Sequence, residues 1–167
     1  MKPQLSTIFA IGLSLAAVGC TEEEPWKITE SSTTSLLYTE GVYPVLLRDC
    51  AFFACHGSTD RLFQVWGPKR HRIDDLPLTG DDERRRIDAE MQQTFNMAIG
   101  FVDINDPGNS LLLRKPLDSQ AGGTGHLGLD KYGRNVYRSA SSPGYIALAK
   151  WVYDLQAKAK ASATGDF

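Results

Sequence analysis

A mainly helical domain with long loops is the fold class this sequence predicts, and three observations predict it. Stretches around 38–50, 81–99 and 143–155 repeat apolar residues at helical spacing. Asp106-Pro107 and Ser142-Pro143 have the form of helix starts, an N-cap followed by a proline whose missing N–H costs nothing there. Between 117 and 141, Gly122, Gly123, Gly125, Gly128 and Gly133 mark a loop rather than a regular element.

The elements follow in order. The first helix is expected from about Tyr38 to Cys50, with Pro44 either near its first turn or kinking it. Residues 62–68, LFQVWGP, read as a short strand or extended stretch ending at Gly67-Pro68. A second helix spans 81–99. Asp81, Asp82 and Glu83 suit its N-terminal dipole, and Ile87, Met91, Phe95 and Ala98 form one apolar face. A short helix begins after Asp106-Pro107, runs through GNSLLLRK and stops at Pro116. The last helix opens at Ser142-Pro143 and buries Tyr145, Leu148, Val152 and Leu155, with Trp151 beside them. There is no internal repeat and no long low-complexity tract.

Ahead of this domain the N-terminus reads as an export signal. Lys2 supplies a positive start, and Ile8 to Val18 is mostly apolar but too short to stay across a bilayer. The run AAVGC then resembles a bacterial lipobox, with Gly19 before the cut and Cys20 as the lipidated residue. Each buried methylene of an acyl chain adds about 0.8 kcal/mol, so several chains hold a protein on a membrane. Thr21, where Asp would favour the inner membrane, points to the outer one. The expected organisation is a signal peptide at 1–19, a lipidated Cys and flexible tether at 20–35, a folded domain at 36–160 and a disordered tail at 161–167.

Net charge is −2 over 167 residues. The basic clusters KRHR (69–72) and RRR (84–86) are followed at once by acidic residues, so both read as solvated surface and nucleic acid is not an expected partner. The chain carries no Ser/His/Asp set, no phosphate-binding glycine loop and no paired-carboxylate signature, and an enzyme is not expected.

Cysteine count is the most informative number. Of three cysteines the lipid would use Cys20, leaving Cys50 and Cys55 in an exported, oxidising setting. They lie in CAFFACHG, with His56 directly after the second. In covalent haem attachment two thiols add to two vinyl groups, and the histidine after the second cysteine binds iron. The usual gap between the cysteines is two residues; here it is four, Ala51 to Ala54. Two other readings stand beside this one: a Cys50–Cys55 disulfide closing a short loop, and a zinc site completed by His71 and His126. A haem would take a sixth ligand. His126, in GTGHLG, has small neighbours that let backbone approach a flat cofactor, while Met97 and Met91 on the 81–99 helix are rivals.

The order GVYPVLLRDCAFFACHG, VWGP, DPGNSLLLRKPL, GHLG and SSPGYIALAKWV resembles small cytochrome c domains of the planctomycete type, which also occur in lipoproteins of myxobacteria-like organisms. The resemblance covers about 40–155. It implies a cytochrome c-like helical fold with one covalent haem c on Cys50 and Cys55, His56 as proximal ligand and His126 as a distal one. The extra pair in the cysteine gap would bulge outward, with Phe52 and Phe53 packing on the macrocycle or the core. Trp66, Leu111 to Leu113 and Trp151 would add to the burial that tunes the potential. The expected function is a membrane-anchored electron carrier of the cell envelope, working with envelope redox proteins. The rival is a non-redox lipoprotein, a binding or structural module stapled by Cys50–Cys55.

Overall fold

The computed structural model describes residues 36–73, 82–126, 128–129 and 135–164. Cys20, the expected signal and the tether lie outside them. Among the described residues the regular structure is helical, with no strand and two isolated bridges, Trp66 with His71 and Leu117 with Tyr137. None of these helices is long and apolar enough to cross a membrane.

The chain enters through a π-helical segment, Leu37–Val42, that passes directly into α1, Tyr43–Asp49. Pro44 explains the change of winding. A proline can neither donate to the preceding turn nor tolerate its carbonyl, and the wider i→i+5 turn accommodates it at the start of the α segment. The expected helix is therefore present, with the proline marking its junction. Its inner face carries Tyr38, Val42 and Leu46, all fully buried.

The 62–68 stretch does not form a strand. Trp66 makes a single bridge to His71, and its main chain is held instead by side chains. Thr94 Oγ1 accepts from Trp66 N at 2.9 Å and donates to its carbonyl at 3.2 Å, and the Tyr43 hydroxyl donates to the same oxygen at 3.0 Å. Extended residues with no partner strand must satisfy their polar groups in this way.

Helix α2, Asp82–Ile99, matches its expected span. Phe95 and Ala98 are buried as the apolar face requires, Ile87 and Met91 only partly. Glu90 and Thr94, polar and unexpected there, are fully buried. Glu90 Oε1 accepts from Arg72 Nε at 2.7 Å and from Ile73 N at 3.1 Å, and Arg72 also reaches Glu83 at 2.8 Å. The KRHR cluster is thus not simply solvated. Arg72 clamps the loop onto α2, and Arg70 Nε donates to the Leu47 carbonyl at 2.9 Å.

The expected 107–115 helix is split. A 3₁₀ turn, Pro107–Asn109, precedes α3, Leu111–Arg114, because Ser110 is extended (φ −51°, ψ 126°) and its buried hydroxyl accepts from Asp103 N at 2.9 Å. A second 3₁₀ turn, Ser119–Ala121, is capped by Asp118, whose side chain accepts from Gln120 N. Helix α4, Pro143–Thr164, runs four residues into the stretch expected as a disordered tail. Leu148, Trp151 and Val152 are fully buried, so Trp151 is central rather than lateral; Tyr145 and Leu155 are half-buried.

The core lies where α4 crosses the π segment and α1. Tyr38 packs edge-on against Phe95 (4.9 Å between ring centres) and tilted against Trp151 (5.3 Å). Each fully buried aliphatic or aromatic side chain there contributes about 2 kcal/mol from area removed from water. This core carries the C-terminal end of α1, where the cysteine segment begins, against α4.

Candidate functional site

Cys50 is the C-cap of α1, its N–H still bonded to the Leu46 carbonyl at 3.0 Å. The next residues fold into a tight loop. Cys55 N and Gly57 N both donate to the Phe52 carbonyl (2.8 and 3.0 Å), and His56 N returns to the Cys50 carbonyl at 3.0 Å. The four-residue gap is thereby closed on itself, and His56 comes back beside the helix end. Gly57 is essential to this: a side chain there would overlap the Ala51 carbonyl oxygen. Phe52 and Phe53 sit outside, 50% and 67% exposed, with the Arg70 guanidinium 4.7 Å from the Phe52 ring centre. The gap bulges outward as expected, but its phenylalanines do not pack on the core.

Both cysteines are free thiols, Cys50 buried and Cys55 half-buried. Burial, with the charges of Asp49 and Cys55, pushes the Cys50 thiol up to about 12, so it remains protonated at neutral pH. Beside it, burial acts to raise the Asp49 carboxyl. Hydrogen bonds from Arg48 (2.7 Å) and the Tyr137 hydroxyl (2.9 Å), with Arg48's charge, outweigh it and hold the carboxyl below its ordinary value.

Cys50, Cys55, His56 and His126 all line one cavity of about 450 Å³, within the range of small-molecule and cofactor sites. Its walls are mostly apolar, with Leu46, Phe63, Phe101, Leu112 and Leu148 among them, and Arg61 and Lys115 bring cations to it. Leu111 and Leu112 line it; Leu113 is buried in the core instead. Met91 and Met97 are partly buried against the core and do not line the cavity. Neither does His71, which is half-buried with its ring 6.0 Å from Trp66. Phe52, Phe53, Trp66 and Trp151 lie outside the lining as well.

The two cavity histidines face one another. Their ring centres are 5.8 Å apart and their planes 24° from parallel. His56 Nδ1 lies 2.8 Å from the Phe63 carbonyl, and the Phe63 ring meets it edge-on at 4.9 Å. A carbonyl only accepts, so Nδ1 carries the proton and Nε2 keeps a lone pair. Burial lowers the pKa of His56, and the nearby His126 and Arg61 lower it further against the bond to Phe63; the ring is neutral at physiological pH.

His126 Nδ1 lies 3.0 Å from Asn135 Oδ1. Its loop is tied down by Thr124 N to the Arg114 carbonyl (2.8 Å) and Lys115 Nζ to the Gly125 carbonyl (2.8 Å). Gly123 allows the first close approach, since a side chain there would overlap the Leu117 carbonyl oxygen.

Sequence reasoning thus brought out both cysteines and both histidines, and it missed the groups that orient the rings. Phe63 acts through its main chain and leaves no trace in residue type. Asn135, in GRNVY, has no spacing signal. Arg61 and Lys115 are single cations among many.

Among the described residues no group of three or more His, Cys, Asp or Glu side chains could hold a metal ion, so the four-ligand zinc site has no set of ligands there. In comparisons with known proteins the chain matches no family model, no curated protein and no solved structure.

Proposed function

We propose that the chain is a membrane-anchored monohaem c-type cytochrome, related to the planctomycete-type domains it resembles, that carries electrons in the cell envelope. The observation that carries this reading is the pair of facing imidazoles across a mostly apolar cavity that both cysteines also line. Each ring has its Nδ1 against an oxygen acceptor, the arrangement that readies Nε2 for a metal. Two histidines are too few to hold an ion alone, and a porphyrin would supply the other ligands.

In this reading Cys50 and Cys55 would hold the haem covalently, and His56 and His126 would ligate its iron. When bound, the haem supplies reversible one-electron chemistry at iron. The protein's part is to fix both imidazoles, so that little reorganises with oxidation state, and to exclude water with Leu46, Phe63, Phe101, Leu112 and Leu148. Arg61 and Lys115 offer cations to the cofactor's carboxylates. With both histidines on the iron the domain would pass electrons to envelope redox proteins rather than transform a substrate. Cys20 would anchor it, in the outer rather than the inner membrane, through lipid.

The test is maturation of the full chain in a host with a c-haem attachment system, followed by a denaturing gel stained for haem. A covalent haem survives the gel, and Cys50→Ala with Cys55→Ala abolishes the stain. An unstained band whose two thiols alkylate only after reduction would instead assign the stapled, non-redox module. For the ligands, His126→Ala should give a high-spin, CO-binding haem while Met97→Ala leaves the spectrum unchanged. The reverse pattern would remove His126 from the iron.

A further inference from the structure

The acceptors behind the two imidazoles differ in kind: a main-chain carbonyl for His56, a carboxamide for His126. Resting on the haem reading above, we infer that Asn135 is the positioning residue of the distal ligand, holding His126 as the Nδ1–H tautomer with Nε2 free for iron.

The hydrogen bonds leave one solution. Asn135 is buried, 8% exposed. Its Nδ2 donates to two main-chain carbonyls, Lys115 at 2.7 Å and Leu117 at 3.0 Å, and its Oδ1 accepts from Val136 N at 2.8 Å. Turning the amide over would set its oxygen against two acceptors and its NH₂ against a donor, so the orientation is determined by the main chain. Oδ1 is therefore an acceptor, and His126 meets it with a proton on Nδ1. A neutral imidazole has one such proton, which leaves Nε2 bare.

The same contacts locate the ring. Lys115 and Leu117 flank Pro116, which lines the cavity, so Asn135 ties the histidine to the wall the cofactor would occupy. Loop bonds at Thr124 and Gly125 bring the backbone close, Gly128 lies beside the ring, and among the described residues Asn135 makes the side-chain hydrogen bond that fixes its rotation. Partners of this type typically change metal affinity 10–100-fold when removed.

The experiment uses the full chain matured with haem, as wild type, Asn135→Leu and Asn135→Asp. Leucine has similar volume and no polar atoms. Its ferric form should gain a high-spin fraction, and its ferrous form should bind CO at least tenfold more tightly than wild type. Aspartate keeps an acceptor toward Nδ1 but loses the two donations to the Lys115 and Leu117 carbonyls, so its haem should be more low-spin than that of the leucine variant. Its charge should also lower the midpoint potential, an effect that loss of packing alone does not produce. Wild-type spectra and CO affinity in Asn135→Leu would overturn the inference. If that variant does not fold, Asn135→Asp decides: a lowered potential with a low-spin haem supports the role, and an unchanged potential removes it. Failure of the haem reading is a different result, an unstained gel band for every variant. In that event nitrogen NMR of the histidine rings in the full chain still reads the tautomer, with Nδ1–H upholding the role of Asn135 and Nε2–H refuting it.

Discussion

The two histidine segments reach the same cavity by opposite means. His56 is held by its immediate neighbours: the bonds among Leu46, Cys50, Phe52, Cys55 and Gly57 all join residues within a few positions of one another, at the end of a helix packed in the core. His126 is held from a distance. Its loop depends on Arg114, Lys115 and Asn135, and on the Leu117–Tyr137 bridge, where Asp118 N meets the Tyr137 carbonyl and Tyr137 N the Pro116 carbonyl, both at 2.8 Å. Local bonds on a buried helix open only with the whole domain, whereas a loop closed by long-range bonds opens at lower cost. The first segment is the half of the site held by local bonds, and the second is the half held by long-range ones.

Two glycines separate these behaviours with the largest expected effects. At Gly57 and at Gly123 a side chain would overlap a carbonyl oxygen, Ala51's in one case and Leu117's in the other. Gly57→Ala disrupts a turn welded to the core, and should cost about 3 kcal/mol in urea unfolding. Gly123→Ala strains a loop that can open alone. It should cost about 1 kcal/mol globally while hydrogen exchange at the Thr124 amide accelerates. Equal global losses would break the distinction.

A smaller effect lies where the segments meet, at the Tyr137 hydroxyl on Asp49. Asp49 is held below its usual pKa in the folded chain, so it contributes stability that is present above the unfolded value, near 3.9, and fades as pH falls through the folded one. Tyr137→Phe removes one of the bonds responsible. At neutral pH the variant should be less stable by about 1 kcal/mol, and the two stability curves should converge below pH 4. Parallel curves down to pH 2 would show that the carboxylate does not sense the hydroxyl.

The contrast between the segments also explains what could be read from the sequence. The helices were legible because their apolar spacing and proline starts are local; α2 matched within a residue and α4 at its first turn. The cysteine segment stood out for the same reason, its two cysteines and histidine lying close in sequence, and all three line the cavity. What escaped depends on distant partners. Glu90 and Thr94 are buried on α2 because the strandless 65–73 stretch takes its hydrogen bonds from them. The split at Ser110 depends on Asp103, and the orientation of His126 on Asn135, which no periodicity connects.

The phenylalanines of the cysteine loop give the smallest and most discriminating effect. Sequence alone had them covering a cofactor or the core, and the fold turns both outward. Residues that exposed bury little area, so Phe52→Ser with Phe53→Ser should lower stability by no more than about 1 kcal/mol, most of it from the Arg70 contact over Phe52. The backbone bonds that bring His56 back to Cys50 pass through main-chain atoms only and survive the substitution. If the proposed haem is there, its staining and spectrum in the double variant should therefore equal those of wild type. A large loss of stability, or a shifted spectrum, would mean that these rings fold inward when the cavity is filled, and that the cysteine segment is no more preformed than the loop that carries His126.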